Sequence, residues 1–163
     1  MLEKLRKIMT ILFVALTIMS ASTVVYSAYF YFGIYRATST LDMSIEDFHV
    51  IFLNATDAYT ETILSFSNPS EYEFRSVMIG QRLDLAGQYV GYANPSKPTS
   101  LDPLRLLPRS RTNATVDFEI PHHKMELLES TPQKQWALTV NVVCEGPIVE
   151  RFTLNDFAVF TIP

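Results

Sequence analysis

The chain has 163 residues, a formal net charge of −4 and a single cysteine, which excludes an intrachain disulfide and argues against a cysteine-based metal site. The charge is uneven, because nine basic and sixteen acidic side chains follow residue 36. An acidic C-terminal part without a strong basic patch argues against nucleic acid as a partner, since that binding depends on Lys and Arg that neutralise phosphates.

The first predicted element is a transmembrane helix. Ile8 to Tyr35 is a run of twenty-eight residues without a charged side chain, and about 20 apolar residues of helix cross a bilayer. Lys4, Arg6 and Lys7 precede the run, and only Arg36 follows it. The positive-inside rule therefore predicts a single-pass protein of the cell membrane, with a cytoplasmic N-terminus and an extracytoplasmic C-terminal domain.

A cleaved signal peptide is the alternative interpretation of this segment. Ser20-Ala21-Ser22 has the small residues of a cleavage site, but the apolar run continues to Phe32, whereas the apolar region of a signal peptide spans about 7–15 residues. We therefore expect an uncleaved anchor over residues 1–36. Aromatic side chains crowd its far end and predict the outer membrane interface, where tyrosine rings favour the headgroup level: Tyr26, Tyr29, Phe30, Tyr31, Phe32 and Tyr35.

Small residues share one face of the predicted helix. Membrane helices pack through such residues, because small side chains allow two backbones to approach closely. One interpretation is a docking face for another membrane helix in the bilayer. The other is that small residues are tolerated anywhere in a helix and that their alignment is chance. The residues are Thr17, Ser20, Ala21, Ser27 and Ala28.

Beyond the helix, residues 37–46 are predicted to form a connector that is too short to let the domain move far from the membrane. Residues 47–163 are predicted to form one extracytoplasmic domain.

Within this domain, Gly80 predicts a bulge or bend in a long strand, residues 94–108 are predicted to form a proline-rich surface loop, and a short helix is expected at 122–128. About seven or eight short strands predict an all-β sandwich or barrel: 48–54, 59–66, 72–85, 89–92, 112–120, 135–144, 148–154 and 157–162.

The middle of the chain contains a series of short motifs: Asn68-Pro69-Ser70, Tyr72, the strand Val77 to Leu85, Gly87, Val90-Gly91 and the Ser/Thr-rich strand Ser110 to Ile120. With these motifs it resembles the water-stress and hypersensitive-response (WHy) domain of the group-two late-embryogenesis-abundant proteins. In that family's pattern a cleaner Ile-Pro step replaces the Leu107-Pro108 found here. The resemblance implies an immunoglobulin-like sandwich of about seven strands, often behind an N-terminal membrane helix, with no catalytic residues and no defined ligand site.

No catalytic or cofactor chemistry is predicted. His122 and His123 are adjacent and point apart in a helix or a strand, so we expect exposed polar residues rather than a metal site with His49 or Glu119. Cys144 lies on the apolar face of an alternating strand and is expected to be a small buried hydrophobe. No Gly-x-Ser-x-Gly elbow and no phosphate-binding glycine motif is present.

A basic cluster and two glycosylation motifs are predicted to lie on the surface of the domain. Arg105, Arg109 and Arg111 form the single basic cluster of the domain, either as solvated loop charges or as contacts to an acidic partner or lipid headgroups. The Asn-x-Thr acceptors Asn54 and Asn113 are candidate glycosylation sites, because they fall in the part placed outside the cell.

These patterns predict a membrane protein without enzymatic activity, for which two functions are open. It is either an accessory or structural subunit of a multi-subunit membrane complex, which partner subunits contact through its helix and its membrane-proximal domain surface, or a free-standing stress-protective or ligand-binding module. The short connector and the small-residue face favour the first. The family resemblance favours the second, but by analogy of fold, which does not determine function.

Overall fold

The computed structural model describes residues 2–54, 56–131, 134–148 and 151–162, and the chain divides into two compact units, 1–36 and 37–163. The helix α1 covers Leu2–Thr38, 37 residues, which is ~55 Å at 1.5 Å per residue. The hydroxyls of Thr10, Thr17 and Thr23 each donate to the carbonyl four residues earlier at 2.9 Å. These bonds satisfy the hydroxyl donors within the helix, so the three threonines are compatible with an apolar environment.

The described part of the second unit contains eight strands and one short helical segment. All strand pairs are antiparallel. The strands are β1 (Asp42–Phe52), β2 (Ala58–Asn68), β3 (Phe74–Leu85), β4 (Gln88–Ala93), β5 (Leu104–Leu106), β6 (Ser110–Glu119), β7 (Lys134–Glu145) and β8 (Arg151–Ile162), and a 3₁₀ turn (His122–Lys124) leads into the helix α2 (Met125–Ser130) between β6 and β7.

The strands form two sheets that enclose one core. The smaller sheet has the order β1-β2-β6, and the larger has the order β4-β3-β7-β8, with β5 paired to the start of β3. The predicted all-β sandwich preceded by one apolar helix is therefore confirmed. The helical segment also lies where the sequence indicated, after Pro121.

The centre of the larger sheet is β7, whose alternation builds the core. Its inward side chains are all fully buried, as the period-two pattern predicts for a strand with one face on the core, and burial of each leucine and valine among them contributes about 1.5–3 kcal/mol. The residues are Trp136, Leu138, Val140, Val142 and Cys144.

One polar pair joins the two sheets inside this core. The Nε2 atom of Gln81 on β3 donates to the hydroxyl of Thr62 on β2 at 2.7 Å, and both residues are fully buried. A buried hydrogen bond is directional, whereas apolar contacts are not. The pair therefore helps to determine how one sheet is placed over the other.

Asn68 at the end of β2 is the residue that holds β5 in place. Its side chain is buried, and Nδ2 donates to the carbonyls of Tyr72, Leu106 and Leu107 at 2.8, 2.9 and 3.0 Å. The Oδ1 atom accepts from the backbone N–H and the hydroxyl of Ser70 at 3.2 and 2.7 Å. The Asn-Pro-Ser turn thus ties the β2–β3 connection to the proline-rich segment.

Three predicted boundaries were wrong because pairing with a neighbour extends a strand beyond its own sequence pattern. The strand β1 begins at Asp42, inside the predicted connector 37–46, because Asp42 pairs with Ser67. The predicted loop 94–108 contains β5, which pairs with β3.

The third boundary concerns the C-terminal end. The predicted strands 148–154 and 157–162 are one strand, β8, because Asn155 and Asp156 continue the register opposite Asn141 and Val140. The part of the earlier prediction that falls on residues 149–150 lies outside the described residues.

The bulge predicted at Gly80 was wrong, since the register of β3 shifts between Ser76 and Met78 and between Leu83 and Asp84. A Cβ atom at Gly80 would collide with the hydroxyl of Tyr92, whose ring lies across this position. The glycine therefore leaves room for the Tyr92 ring to lie across the strand, and the strand does not bulge there.

Candidate functional site

The helix α1 exposes an apolar surface over most of its length. Its most apolar 18-residue window has a mean hydropathy of 2.2, and none of that window is buried within the chain. A soluble protein rarely leaves so large an apolar surface uncovered, so such a helix requires lipid or a partner. By length and composition α1 is able to cross a membrane, and a signal sequence near an N-terminus meets the same criteria.

The five small residues singled out in the sequence lie on one side of α1. At 3.6 residues per turn, Thr17, Ser20, Ala21, Ser27 and Ala28 span an arc of about 120°, with the side chain of Val24 between them. Thr17, Ser20, Ala21 and Ala28 are exposed and Ser27 is partly exposed. Small residues thus flank Val24 on this side of the described helix, and the use of this face for packing stays a prediction.

Aromatic rings cover the C-terminal half of the helix. The rings of Tyr26 and Phe30 stack with centroids 6.5 Å apart, and Phe30 meets Tyr31 edge-on at the same distance. Tyr29 and Tyr35 are largely exposed. This arrangement matches the amphipathic rings that concentrate at membrane interfaces.

The two glycosylation candidates differ in their surroundings. Asn113 is exposed on β6, an edge strand of the smaller sheet. Asn54 sits in the turn after β1, where its Oδ1 accepts from the N–H groups of Thr56 and Asp57 at 2.8 and 2.9 Å and its Nδ2 donates to Asp57 at 2.7 Å. Modification of either asparagine stays a prediction, and the amide of Asn54 would have to leave Asp57 first.

The histidines make local contacts in the structure. His49 Nε2 lies 3.1 Å from Asp47 Oδ2, and His122 Nδ1 lies 3.3 Å from the carbonyl of Thr56. Within the described residues no three His, Cys, Asp or Glu side chains are grouped as a metal site would require.

Cys144 is fully buried on the inner face of β7, as the alternating pattern indicated. Burial raises the pKa of its thiol to about 12. Because the thiolate is the nucleophilic form, this thiol is inert while the domain is folded.

Arginines gather at the end of the sandwich where β1 begins. In the larger sheet Arg105, Arg75, Glu145 and Arg151 occupy one row across β5, β3, β7 and β8. In the smaller sheet Arg111 occupies the row of Asp42 and Ser67. The turn from β2 to β3 joins these two rows, so they lie at the same end.

The predicted basic cluster is neutralised by glutamates. Arg105 forms a bidentate pair with Glu73 at 2.7 Å for both bonds, and this hydrogen bond, with the nearby positive charges, lowers the pKa of Glu73. Arg109 pairs with Glu71, and Arg111 lies 3.6 Å from Glu46. All three arginines are largely exposed, so each pair contributes little to stability.

A cavity of about 390 Å³ opens beside this row. It is lined by Glu73, Arg75, Pro103, Arg105 and Pro147. The sequence alone did not single out Arg75, because this residue is distant from the Arg105–Arg111 segment in the chain and joins it only through the pairing of β3 with β5.

Comparison with known proteins identifies the fold but no family. No family model matches the chain, and no curated protein matches it. The solution structure of AT1g01470 from Arabidopsis thaliana matches with a TM-score of 0.59 at 18% identity, covering 74% of this chain and 79% of that one. The crystal structure described as the ApaA protein of Bordetella pertussis matches with a TM-score of 0.55 at 11% identity, covering 76% of this chain and 94% of that one.

A late embryogenesis abundant protein is also among the similar structures. The protein described under that heading, At2g46140.1, matches with a TM-score of 0.50 at 13% identity, covering 85% of this chain and 86% of that one. The β domain therefore has a fold of the kind found in late-embryogenesis-abundant proteins, as the sequence motifs implied. Identities this low establish the fold alone.

Proposed function

We propose that this protein is a non-catalytic, single-pass membrane protein that serves as an accessory or structural subunit of a multi-subunit membrane complex. Its N-terminus is cytoplasmic in this proposal, and its β-sandwich covers the extracytoplasmic side of the complex. Partner subunits contact the small-residue face of α1 and the domain surface nearest the membrane. No cofactor and no nucleic acid is part of this function.

The observation that carries the proposal is the exposed helix with its small-residue face. Lipid tails are as apolar as leucine, so helices in a bilayer associate through close packing and not through the hydrophobic effect. The arc from Thr17 to Ala28 offers such packing, because five of its six side chains are small, with Val24 as the exception, and its threonine hydroxyl is already bonded within the helix. Beyond the helix the connection is short, since three residues separate Thr38 from Asp42.

Native purification with a matched pair of variants tests this function. Ser20→Leu with Ala21→Leu fills the small-residue face, whereas Ala15→Leu with Ser22→Leu replaces the same kinds of small residue by leucine on the opposite side of α1. We expect a stoichiometric set of partner proteins to co-purify with the wild type and the control pair, and to be lost from the Ser20/Ala21 variant in mild detergent. Unchanged co-migration of that variant on a native gel would falsify the helix-packing role.

A free-standing protective or ligand-binding module is the second candidate. The fold shared with the late embryogenesis abundant protein At2g46140.1 is the observation that favours it. If the protein is such a module, native purification yields a monodisperse protein without partner proteins. This result would overturn the subunit proposal in favour of the second candidate.

A further inference from the structure

Arg75 differs from the other arginines of the described domain in forming no salt bridge, although its charge is near enough to Glu73 to help lower the pKa of that carboxyl. The other five each form a salt bridge: Arg82 with Asp84, Arg105 with Glu73, Arg109 with Glu71, Arg111 with Glu46 and Arg151 with Glu145.

Both cross-strand neighbours of Arg75 are already engaged. On one side stands Arg105, whose guanidinium is held by both oxygens of Glu73. On the other side stands Glu145, whose Oε1 accepts from Nε of Arg151 at 2.9 Å. Arg75 therefore has a like charge opposite it on β5, and the two nearby carboxylates, Glu145 and Glu73, are each already bonded to another arginine. Like charges directly opposite each other weaken a sheet, so a further anion beside Arg75 would be favourable.

The cavity beside Arg75 has the size and walls of an anion site. Its volume is about 390 Å³, and its lining brings Arg75 together with Arg105, Glu73 and two prolines. Prolines have no N–H to donate and an ionised glutamate only accepts, so the guanidinium groups are the side-chain donors of this lining. An arginine presents five N–H donors in a planar fork that fits phosphate and carboxylate oxygens.

The charge of the lining selects the class of anion. Two arginines and one glutamate leave one positive charge, and the pKa of Glu73 is lowered, so this carboxylate stays ionised at neutral pH. A phosphodiester carries one negative charge and matches this balance. The site also lies at the end of the sandwich where the chain arrives from α1, because the row of Arg75 is joined through the β2–β3 turn to the row of Asp42.

We propose that Arg75 binds the phosphate group of a phospholipid headgroup in this cavity. The inference rests on the membrane anchoring in the proposed function, which makes headgroup phosphates the nearest source of this anion. Free inorganic phosphate has the same binding chemistry and is the alternative source. Headgroup binding would give the sandwich a second attachment to the membrane besides the helix.

Native mass spectrometry of the full-length protein in non-ionic detergent tests the site. The probe lipids are phosphatidylglycerol, which has one phosphodiester, and diacylglycerol, which has the same tails and no phosphate. The matched variants are Arg75→Gln and Arg82→Gln, because Arg82 lies on the same outer face of β3 but is paired with Asp84. We expect Arg75→Gln to lower the apparent affinity for phosphatidylglycerol about tenfold, as loss of a charge-assisted hydrogen bond does, and Arg82→Gln to leave it unchanged.

A second arm measures inorganic phosphate at constant ionic strength through the thermal midpoint of the same proteins. Stabilisation of the wild type by phosphate without retention of phosphatidylglycerol assigns the site to free phosphate and overturns the headgroup source. Equal retention of phosphatidylglycerol by all three proteins, with no difference in response to phosphate, overturns the site itself. Neither arm depends on partner proteins. If the subunit proposal alone fails, no partner proteins co-purify with the wild type, but its affinity for phosphatidylglycerol is unchanged.

Discussion

Replacement of Asn68 by alanine is expected to destabilise the domain by about 2–4 kcal/mol. The change removes three donor contacts to the carbonyls of Tyr72, Leu106 and Leu107 and two acceptor contacts from Ser70. A buried carbonyl left without a donor costs about 1–3 kcal/mol, and the lost turn bonds add about 1 kcal/mol. Because 1.4 kcal/mol is a factor of ten, the ratio of folded to unfolded protein falls by about a hundredfold.

Urea unfolding of the full-length protein in non-ionic detergent measures this loss. Trp136 is the single tryptophan and is fully buried, so its fluorescence reports unfolding of the core. The control is Asn113→Ala, which removes an exposed asparagine from β6 and is expected to change the free energy of unfolding by less than about 0.5 kcal/mol. A host that lacks N-glycosylation keeps the two asparagines comparable.

A second substitution at the same position separates hydrogen bonding from side-chain volume. Asn68→Asp keeps the shape but turns the donors into oxygens that face carbonyls, so it is expected to destabilise at least as much as alanine. If Asn68→Ala unfolds within about 0.5 kcal/mol of the wild type, or no earlier than Asn113→Ala, the reasoning that Asn68 holds β5 is refuted.

Three further predictions concern the core. Gly91→Ala is expected to cost about 1–3 kcal/mol, because its Cβ would collide with the ring of Phe118, and Phe118→Leu in the same chain should recover part of that loss in urea titrations. Thr62→Val is expected to cost about 1–3 kcal/mol by leaving Nε2 of Gln81 unpaired; a double-mutant cycle with Gln81→Met that shows additive losses would contradict the coupling. Cys144, with its pKa raised to about 12 by burial, should react with a maleimide only as fast as the domain unfolds, and rapid labelling of the native protein would show that the thiol is not enclosed.

Much of this architecture could be predicted because it depends on local patterns. A charge-free run of twenty-eight residues specifies an apolar helix whatever surrounds it. The strict alternation from Trp136 to Cys144 specifies a strand with one face in the core, and all five of those inward residues are fully buried. The Asn-Pro-Ser turn could also be read directly, since proline and asparagine restrict the backbone locally.

The sequence by itself therefore determined the anchor-like helix, the all-β class and the buried state of Cys144. Tertiary structure alone decided the extent of β1 and β8, because Asp47 in β1 and Asn155-Asp156 in β8 interrupt the apolar alternation, and only pairing with the neighbouring strand carries the strand through them. Tertiary structure also decided which partner neutralises the basic segment, because Arg105 pairs with Glu73, thirty-two residues away in the chain. Arg75 emerged as the arginine of the described domain without a salt bridge only when β3 and β5 came together, since sequence separation carries no information about which charges become neighbours across strands.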